Sequence, residues 1–289
     1  MMQAKKLRQL LNKKGIIMAV GAHDVWSARL IEMAGFPAVF MTGYGASASL
    51  LGQPDIGLLT MSEMADQARR MAAAIDIPIL ADADTGYGGV LNVVRTVKEY
   101  ENAGIAAIQM EDQVIPKRCG HMEGKQVVAK AEMVAKIKAA TYARRSEDFA
   151  IIARTDARAI HGLEDALERA QAYAEAGADI IFVEAPQSIA EMEKIAQVIK
   201  KPLMANMVEG GKTPFLTGKQ LEDMGYKISH YPDSTIFTVT KAIREMLAAF
   251  KQADTTLVYE QNMTTFTEFN ELLGLTKARE LEKTLAGNQ

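Results

Sequence analysis

The chemistry of this chain is most visible around Cys119. This residue is the one cysteine among 289 residues, and it lies in the segment Lys117-Arg118-Cys119-Gly120-His121. Positive charge beside a thiol stabilises the thiolate and lowers the pKa of the thiol. The segment therefore predicts that Cys119 acts as an acid, a base or a nucleophile. The alternative is a small buried hydrophobic residue, the usual position of a free cysteine.

Acidic residues form a second candidate group. Asp82 and Asp84 end the apolar segment that begins at Ile79, and Glu111 ends the segment that begins at Ala106. Their carboxylates are hard oxygen ligands, which suit Mg²⁺, or Mn²⁺, better than zinc. In an extended chain, Asp82 and Asp84 point to the same side, which favours a shared metal site. The alternative is that one of the two aspartates caps the following helix.

The elements that position these residues recur as a helical segment, a glycine and a short apolar run. Glycine just past a helix adopts the left-handed conformation that ends it, and an apolar run is typical of a strand buried on both faces. Proline precedes two further apolar runs, at residues 78 and 202, and runs near residues 16 and 150 bring the predicted strands to about eight. The glycine junctions are Gly35, Gly104, Gly177 and Gly225.

Strands that alternate with helices over this length indicate parallel pairing through right-handed crossovers. A (β/α)8 TIM-type barrel, typically about 250 residues long, fits best, and an open doubly wound sheet is the alternative. In such a barrel the active site forms at the C-terminal ends of the strands. Carboxylates that face one another there are costly unless a cation neutralises them. The predicted strand ends carry Thr42, Gly43, Tyr44, Asp82, Asp84, Glu111, Arg154, Glu184 and Asn206.

Composition limits the other possibilities. With 48% hydrophobic residues the chain can bury a large core, and a net charge of −3 gives no electrostatic footprint for nucleic acid or an anionic membrane. A single cysteine excludes an intrachain disulfide and suits a reducing compartment. We find neither a signal peptide nor a transmembrane segment in the sequence, and we expect a cytoplasmic protein.

Three segments closely resemble the isocitrate lyase and phosphoenolpyruvate mutase superfamily. They are Asp-Ala-Asp-Thr-Gly-Tyr-Gly at 82–88, Glu-Asp-Gln at 111–113 and Lys-Arg-Cys-Gly-His at 117–121. The last resembles the signature of the carbon-carbon lyase branch, whereas the mutase and hydrolase branches generally lack this cysteine. The resemblance implies a barrel with Mg²⁺, a gating loop that carries the cysteine, and a last helix swapped between subunits. We expect one barrel domain over residues 1–289, C-terminal swapped or capping helices from about residue 234, and a homotetramer built as a dimer of helix-swapped dimers.

The resemblance also implies roles for individual residues on the metal side. Asp82 would be the direct metal ligand, with Asp84 and Glu111 acting through water. Asp55 would lie near the metal and the substrate oxygens. The loop that holds the 2-oxo-acid half of the substrate would consist of Thr42, Gly43 and Tyr44.

On the other side, the resemblance implies that Cys119 is the general acid and Gly120 a backbone contact. Lys117 and His121 would tune the thiol, or His121 would only hold the loop closed. The polar group around the departing carboxylate would consist of Arg154, Glu184 and Asn206.

These roles suit a retro-aldol cleavage of a 2-hydroxy dicarboxylate. The hydroxyl's pKa is lowered by chelation to Mg²⁺, and a base, either Tyr44 or a metal-side carboxylate, removes the proton. Arg154 stabilises the charge on the departing carboxylate, and Cys119 protonates the carbanion.

The choice of substrate rests on Phe237 and Phe269. Family members that cleave tricarboxylates use additional arginines near the C-terminal end, and a phenylalanine there favours a methyl group over an unpaired carboxylate. The alternative is that both are core aromatics. The expected reaction is cleavage of 2,3-dimethylmalate to pyruvate and propanoate. The other possibilities are a 2-methylisocitrate lyase, which gives pyruvate and succinate, an oxaloacetate hydrolase or decarboxylase, and a non-catalytic barrel.

Overall fold

A computed structural model, which describes residues 2–286, contains a closed barrel of eight parallel strands in chain order. β1 pairs with β8 and thereby closes the barrel. All eight predicted strands form, so the (β/α)8 fold is confirmed and the open sheet is excluded. The strands are β1 (Ile17–Ala22), β2 (Ala38–Met41), β3 (Ile79–Asp82), β4 (Ala107–Glu111), β5 (Ala150–Thr155), β6 (Ile180–Val183), β7 (Leu203–Asn206) and β8 (Ile228–Tyr231).

Helices connect the strands on the outside of the barrel; α8, for example, packs against β5 and β6. The helices are α1 (Met2–Asn12), α2 (Val25–Met33), α3 (Gly43–Leu51), α4 (Met61–Ala74), α5 (Val90–Ala103), α6 (Lys130–Ala143), α7 (Arg158–His161), α8 (Leu163–Glu175), α9 (Ile189–Val198), α10 (Gly218–Met224), α11 (Ser234–Ala253), α12 (Phe266–Leu273) and α13 (Leu275–Ala286). A 3-10 segment, Thr256–Asn262, lies between α11 and α12.

The predicted glycine junctions form as left-handed turns. Gly104 has φ +91° directly after α5, and Gly225 has φ +101° directly after α10. A side chain at a position with this φ is strained, which explains glycine at the helix-to-strand junctions. The glycines that end the helices therefore determine where the following strands start. The position of the polar residues at the end of each strand follows from this.

The barrel interior is apolar below the strand ends. Buried side chains such as Ile152, Ile180, Met204 and Ile228 form one cluster there, and Leu7 of α1 joins them. A second, larger apolar layer separates the strands from the surrounding helices. The charged side chains at the strand ends, such as Asp82, Glu111 and Arg154, lie at the C-terminal end of the barrel, where the site was predicted.

The chain divides into two compact units with the boundary between Phe237 and Thr238. In the second unit, the described residues of α12 and α13 include no buried side chain. α11 begins at Ser234, where C-terminal helices were predicted to start. A single domain over residues 1–289 stays a prediction, and residues 287–289 of that range lie outside the described part. Within residues 2–286, no helix combines the length and apolar character needed to cross a membrane.

Candidate active site

A cavity of about 40 Å³ lies at the C-terminal ends of the strands. The predicted catalytic, substrate-binding and metal residues all line it except Gly43 and Asp84, whereas Phe237, on which the substrate choice was based, does not line it. Gly43 and Asp84 lie directly behind lining residues: a Cβ on Gly43 would stand 2.7 Å from Asp82 Oδ2, and Asp84 Oδ1 lies 2.8 Å from Lys117 Nζ. The fold therefore brings the predicted residues together from at least six strands and loops.

One side of the cavity, which we call the acidic wall, consists of Asp82, Asp84 and Glu111. All three are buried. Burial raises the pKa of Asp82 and of Glu111, although Lys117 and Arg154 oppose these shifts. It also raises the pKa of Asp84 to about 6, against the opposing effect of Lys117. Glu111 Oε1 has no hydrogen-bond partner among the described residues. The acidic wall therefore contains more negative charge than its neighbours neutralise.

The conformation at Asp84 corrects one step of the sequence argument. Strand β3 ends at Asp82, and Asp84 has φ +46°, so the chain is not extended through both aspartates. Asp84 does not cap a helix either, since Gly89 precedes α5. The two aspartates are instead joined by the Asp84 N–H, which donates to Asp82 Oδ1 at 3.3 Å.

Lys117 extends from the loop into this acidic region. Its ammonium lies 2.6 Å from Asp55 Oδ1 and 2.8 Å from Asp84 Oδ1. Burial would lower the pKa of Lys117, but the surrounding carboxylates, Asp84 first, raise it well above its usual range. Within the described residues, no three His, Cys, Asp or Glu side chains are already gathered as a ligand set. The excess charge, the all-oxygen donors and the unpartnered Glu111 Oε1 nevertheless fit a divalent cation held at Asp82, Asp84 and Glu111.

A second group of charged residues, the arginine wall, consists of Arg154, Asp156 and Glu184 and adjoins the acidic wall, since Arg154 Nη1 lies 3.4 Å from Glu111 Oε2. Arg154 donates to both carboxylate oxygens of Asp156, at 2.9 and 3.1 Å, and lies 3.3 Å from Glu184 Oε2. Lys125 Nζ lies 2.7 Å from Asp156 Oδ1. Burial would raise the pKa of Glu184, but Arg154 and then His121 lower it below its usual range. Each carboxylate of this wall is therefore held ionised by a cation.

Cys119 differs from the prediction in one respect. Burial raises the pKa of its thiol to about 11, whereas the flanking cations were expected to lower it. The reason is direction: Lys117 points to Asp55 and Asp84, and Arg118 donates to the backbone carbonyl of Glu123 at 3.0 Å. Cys119 is therefore a protonated thiol at neutral pH, the state that a proton donor requires.

The ring of His121 faces the arginine wall. Its Nδ1 accepts the backbone N–H of Lys212 at 3.2 Å, and its Nε2 lies 3.3 Å from Glu184 Oε1 and 3.2 Å from Asn206 Nδ2. These contacts join the Cys119 loop to the chain after β7. The geometry favours the alternative in which His121 holds the loop closed, and that role stays a prediction.

Two loop contacts were missed by the sequence analysis. The Gln113 side chain donates to the carbonyl of Arg118 at 2.8 Å and accepts its N–H at 2.9 Å. Lys125 Nζ donates to the Gly120 carbonyl. Gln113 belongs to the segment 111–113 and could have been suspected, whereas no local pattern marks Lys125. Gly120 itself packs so closely that an added Cβ would stand 2.3 Å from Arg154 Nη2.

The loop after β2 forms the third side. Thr42 caps α3, and the ring of Tyr44 meets the ring of Phe237 edge to face, with centroids 6.1 Å apart. Phe237 is 40% exposed and Phe269, in the second unit, is 42% exposed. The alternative that both are core aromatics is therefore wrong.

Comparison with known proteins agrees with this geometry. The sequence profile of the family described as phosphoenolpyruvate phosphomutase matches residues 7–251. The 2,3-dimethylmalate lyase of Eubacterium barkeri is 54% identical over 283 residues, which cover 98% of each chain. The 2-methylisocitrate lyase of Aeropyrum pernix is 46% identical over 268 residues, 93% of this chain and 86% of that protein.

Solved structures are also similar. A complex of oxaloacetate acetylhydrolase with 3,3-difluorooxalacetate has a TM-score of 0.94 at 36% identity, covering 99% of this chain and 98% of that chain. A trigonal crystal form of 2,3-dimethylmalate lyase has a TM-score of 0.94 at 36% identity, covering 99% and 96%. Phosphonopyruvate hydrolase with oxalate and Mg²⁺ has a TM-score of 0.88 at 32% identity, covering 98% of each chain. With its barrel, its site and these matches along nearly its whole length, the chain belongs to the phosphoenolpyruvate phosphomutase family.

Proposed function

We propose that the protein is a Mg²⁺-dependent carbon-carbon lyase that cleaves a 2-hydroxy dicarboxylate. The observation that carries the proposal is the protonated thiol of Cys119 over a cavity lined by residues of the under-neutralised acidic wall and by Arg154. Such a site can stabilise charge at both ends of a dicarboxylate and deliver a proton to the carbon between them. The resemblance to lyases over nearly the full chain supports the same reaction class.

Asp82, Asp84 and Glu111 would hold the metal, with Asp82 as the direct ligand. When bound, the metal would polarise the hydroxyl and carboxylate oxygens of the substrate. Mn²⁺ has the same preference for oxygen ligands and would be an alternative. The Mg²⁺ complex of a structural relative supports the choice of Mg²⁺.

The remaining residues would act on the substrate directly. Thr42, Gly43 and Tyr44 would hold the 2-oxo-acid half, close to Asp55. Arg154 would bind the departing carboxylate, because its guanidinium already lies at the cavity surface between Glu111 and Glu184. Asn206 would donate a further hydrogen bond, and closure of the loop over Gly120 would exclude water while Cys119 protonates the carbanion.

We propose 2,3-dimethylmalate as the substrate, with pyruvate and propanoate as products. The contact of Phe237 with Tyr44 places an aromatic ring beside the predicted 2-oxo-acid loop. A relative at 54% identity has this activity in its name, and the 2-methylisocitrate lyase is less similar at 46%. An extra carboxylate beside an aromatic ring would be poorly paired, which costs several kcal/mol.

The test compares 2,3-dimethylmalate, 2-methylisocitrate, isocitrate and oxaloacetate at one Mg²⁺ concentration, with pyruvate, glyoxylate, succinate and oxalate measured as products. We expect the highest kcat/KM with 2,3-dimethylmalate. A higher value with 2-methylisocitrate would assign the protein to that activity, and oxalate formation from oxaloacetate would indicate the hydrolase reaction. Absence of turnover with every compound would contradict a lyase.

We also propose a homotetramer built from helix-swapped dimers. α11 carries Val239, Ile243, Leu247 and Phe250 at helical spacing, and all four are exposed within the chain. An apolar stripe of this kind is typical of a surface that another chain covers. Light scattering should give a mass about four times 31.5 kDa, and a monomer would refute the proposal. The single cysteine supports the cytoplasm as the compartment.

A further inference from the structure

Most carboxylates that line the cavity are already engaged by a cation. Asp55 lies 2.6 Å from Lys117, and Glu184 and Glu111 lie 3.3 and 3.4 Å from Arg154. A carboxylate held in this way is a weak base, because its negative charge is stabilised by its partner. Asp82 has no ion pair with any described residue, but it is the proposed direct ligand of the metal. The lining residue that remains is Asp233.

Asp233 follows β8 and is 5% exposed. Among the described residues no basic side chain lies within ion-pair distance of it. The Thr42 hydroxyl donates a hydrogen bond to Asp233 Oδ1 at a long 3.5 Å. This contact places Asp233 beside the loop that would hold the 2-oxo-acid half of the substrate, the half that carries the hydroxyl.

The titratable groups that face Asp233 come from four different segments. Burial first, and then the carboxylates of Asp55 and Glu209, raise its pKa to about 7, against the opposing effects of His121 and the bond from Thr42. A base whose pKa lies near neutral pH is suited to proton transfer. Tyr44, on the loop after β2, also faces this group.

Tyr44 was the alternative base in the sequence analysis. Burial raises the pKa of its phenol, and Asp233, Cys119 and Asp55 raise it further. The phenol is therefore protonated at neutral pH and cannot accept the hydroxyl proton. It can donate a hydrogen bond to a substrate oxygen instead.

We propose that Asp233 is the catalytic base that removes the proton from the 2-hydroxyl of the substrate. The inference rests on the proposed lyase function and identifies a group that the resemblance left open. Asp233 takes the hydroxyl proton, the C2–O bond becomes a carbonyl, and the electron pair of the C2–C3 bond moves to C3. The Cys119 thiol gives its proton to C3, and the thiolate is reprotonated through solvent by the proton that Asp233 releases.

The first test is Asp233→Asn in the full-length protein with Mg²⁺. An amide of the same shape cannot accept the proton, so kcat should fall by about 10²–10⁴-fold while KM changes little. Binding of oxalate, followed by calorimetry with Mg²⁺, should be retained and shows that the site is folded. Asp233→Glu should recover part of the activity. An Asp233→Asn enzyme with wild-type kcat would overturn the proposal.

The second test uses Glu209→Gln, because Glu209 is exposed and lies outside the proposed machinery. In the wild type, kcat/KM should fall tenfold per pH unit below about pH 7, the value near which Asp233 becomes protonated. Removing the Glu209 charge lowers the pKa of Asp233, so this acid limb should move to lower pH with an unchanged plateau. A residue with a merely structural role would not produce this shift.

Different results would contradict the lyase function and the role of Asp233. Wild-type protein that turns over no 2-hydroxy dicarboxylate would contradict the lyase function itself. Active wild-type protein, with an acid limb that Glu209→Gln leaves in place, would contradict only the assignment of Asp233.

Discussion

The two walls of the cavity contain the same kind of side chain in opposite electrostatic states. In the acidic wall, burial raises the pKa values of Asp82, Asp84 and Glu111. In the arginine wall, the pKa values of Asp156 and Glu184 are lowered, because Arg154 outweighs the effect of burial. Carboxylates in the two walls therefore differ in whether burial or a neighbouring cation has the larger effect on their pKa values.

This difference assigns the two walls different tasks. The acidic wall has oxygen ligands and a deficit of positive charge, so a divalent cation is its natural partner. The arginine wall is internally neutralised and rigid, with Arg154 fixed by two bonds to Asp156. A preorganised guanidinium of this kind stabilises charge that develops on a departing carboxylate without rearrangement.

The largest loss of activity should result from changes in the acidic wall. We expect Asp82→Ala, or excess EDTA with the wild type, to abolish turnover, because the wall then has no cation to polarise the substrate. The far-ultraviolet circular dichroism and the melting temperature of Asp82→Ala should remain those of a folded barrel, since Asp82 ends a strand outside the apolar core. Full activity in EDTA would show that the acidic wall holds no catalytic metal.

The next effect concerns the loop above both walls. Cys119→Ser should lower kcat by about 10²–10⁴-fold and leave KM nearly unchanged, because a hydroxyl is a much weaker acid than a thiol. Steady-state kinetics measures the change, and Cys119→Ala is the control that removes the proton altogether. Equal kcat values for the serine variant and the wild type would exclude the thiol as the proton donor.

Stability should distinguish the two walls directly. Asp156→Asn breaks a buried ion pair and leaves Arg154 and Lys125 short of a partner, so the free energy of unfolding should fall by about 3–5 kcal/mol. Asp82→Asn removes a buried carboxylate without an ion pair, and in EDTA it should leave the stability equal or higher. Urea denaturation of both variants at pH 8 is the measurement. A larger loss for Asp82→Asn than for Asp156→Asn would contradict the comparison.

The smallest effect should result from changing Gln113, whose side chain bonds the backbone of the Cys119 loop. Gln113→Ala removes two hydrogen bonds to Arg118, worth about 1–3 kcal/mol together, so the closed loop should be less populated. Trypsin, which cleaves after Lys117 and Arg118, should then cut the loop faster, as followed by mass spectrometry. Gln113→Glu keeps one of the two hydrogen bonds, so its cleavage rate should lie between those of the wild type and Gln113→Ala. Unchanged cleavage in Gln113→Ala would show that this side chain does not hold the loop.

The fold was predictable because each element has a local cause. Apolar runs such as residues 150–154 form strands, and glycines such as Gly104 end helices, in patterns that need no knowledge of distant residues. Once the barrel is inferred, topology alone brings Asp82, Glu111 and Arg154 to one mouth. The positions of the predicted site residues follow from this, without any knowledge of their contacts.

The electrostatics could not be predicted in the same way. The cations flanking Cys119 are neighbours in sequence but point away from the thiol, so its pKa is raised where local charge suggested the opposite. Lys125 pairs with Asp156 across 31 positions, and Asp233 receives a bond from Thr42 across 191. Such pairs depend on side-chain directions that only the folded barrel determines. The left-handed backbone of Asp84 was missed for a related reason, since it follows from the turn after β3.

The apolar packing of Leu7 and its neighbours below the cavity has a kinetic consequence. Side chains fill the barrel at the end below the cavity. The substrate and both products therefore pass through the same opening at the C-terminal end, which the Cys119 loop covers. In every catalytic cycle the loop then has to open for the release of both products, and the second product leaves after the first. A turnover rate that falls with solvent viscosity would identify this egress as the slow step.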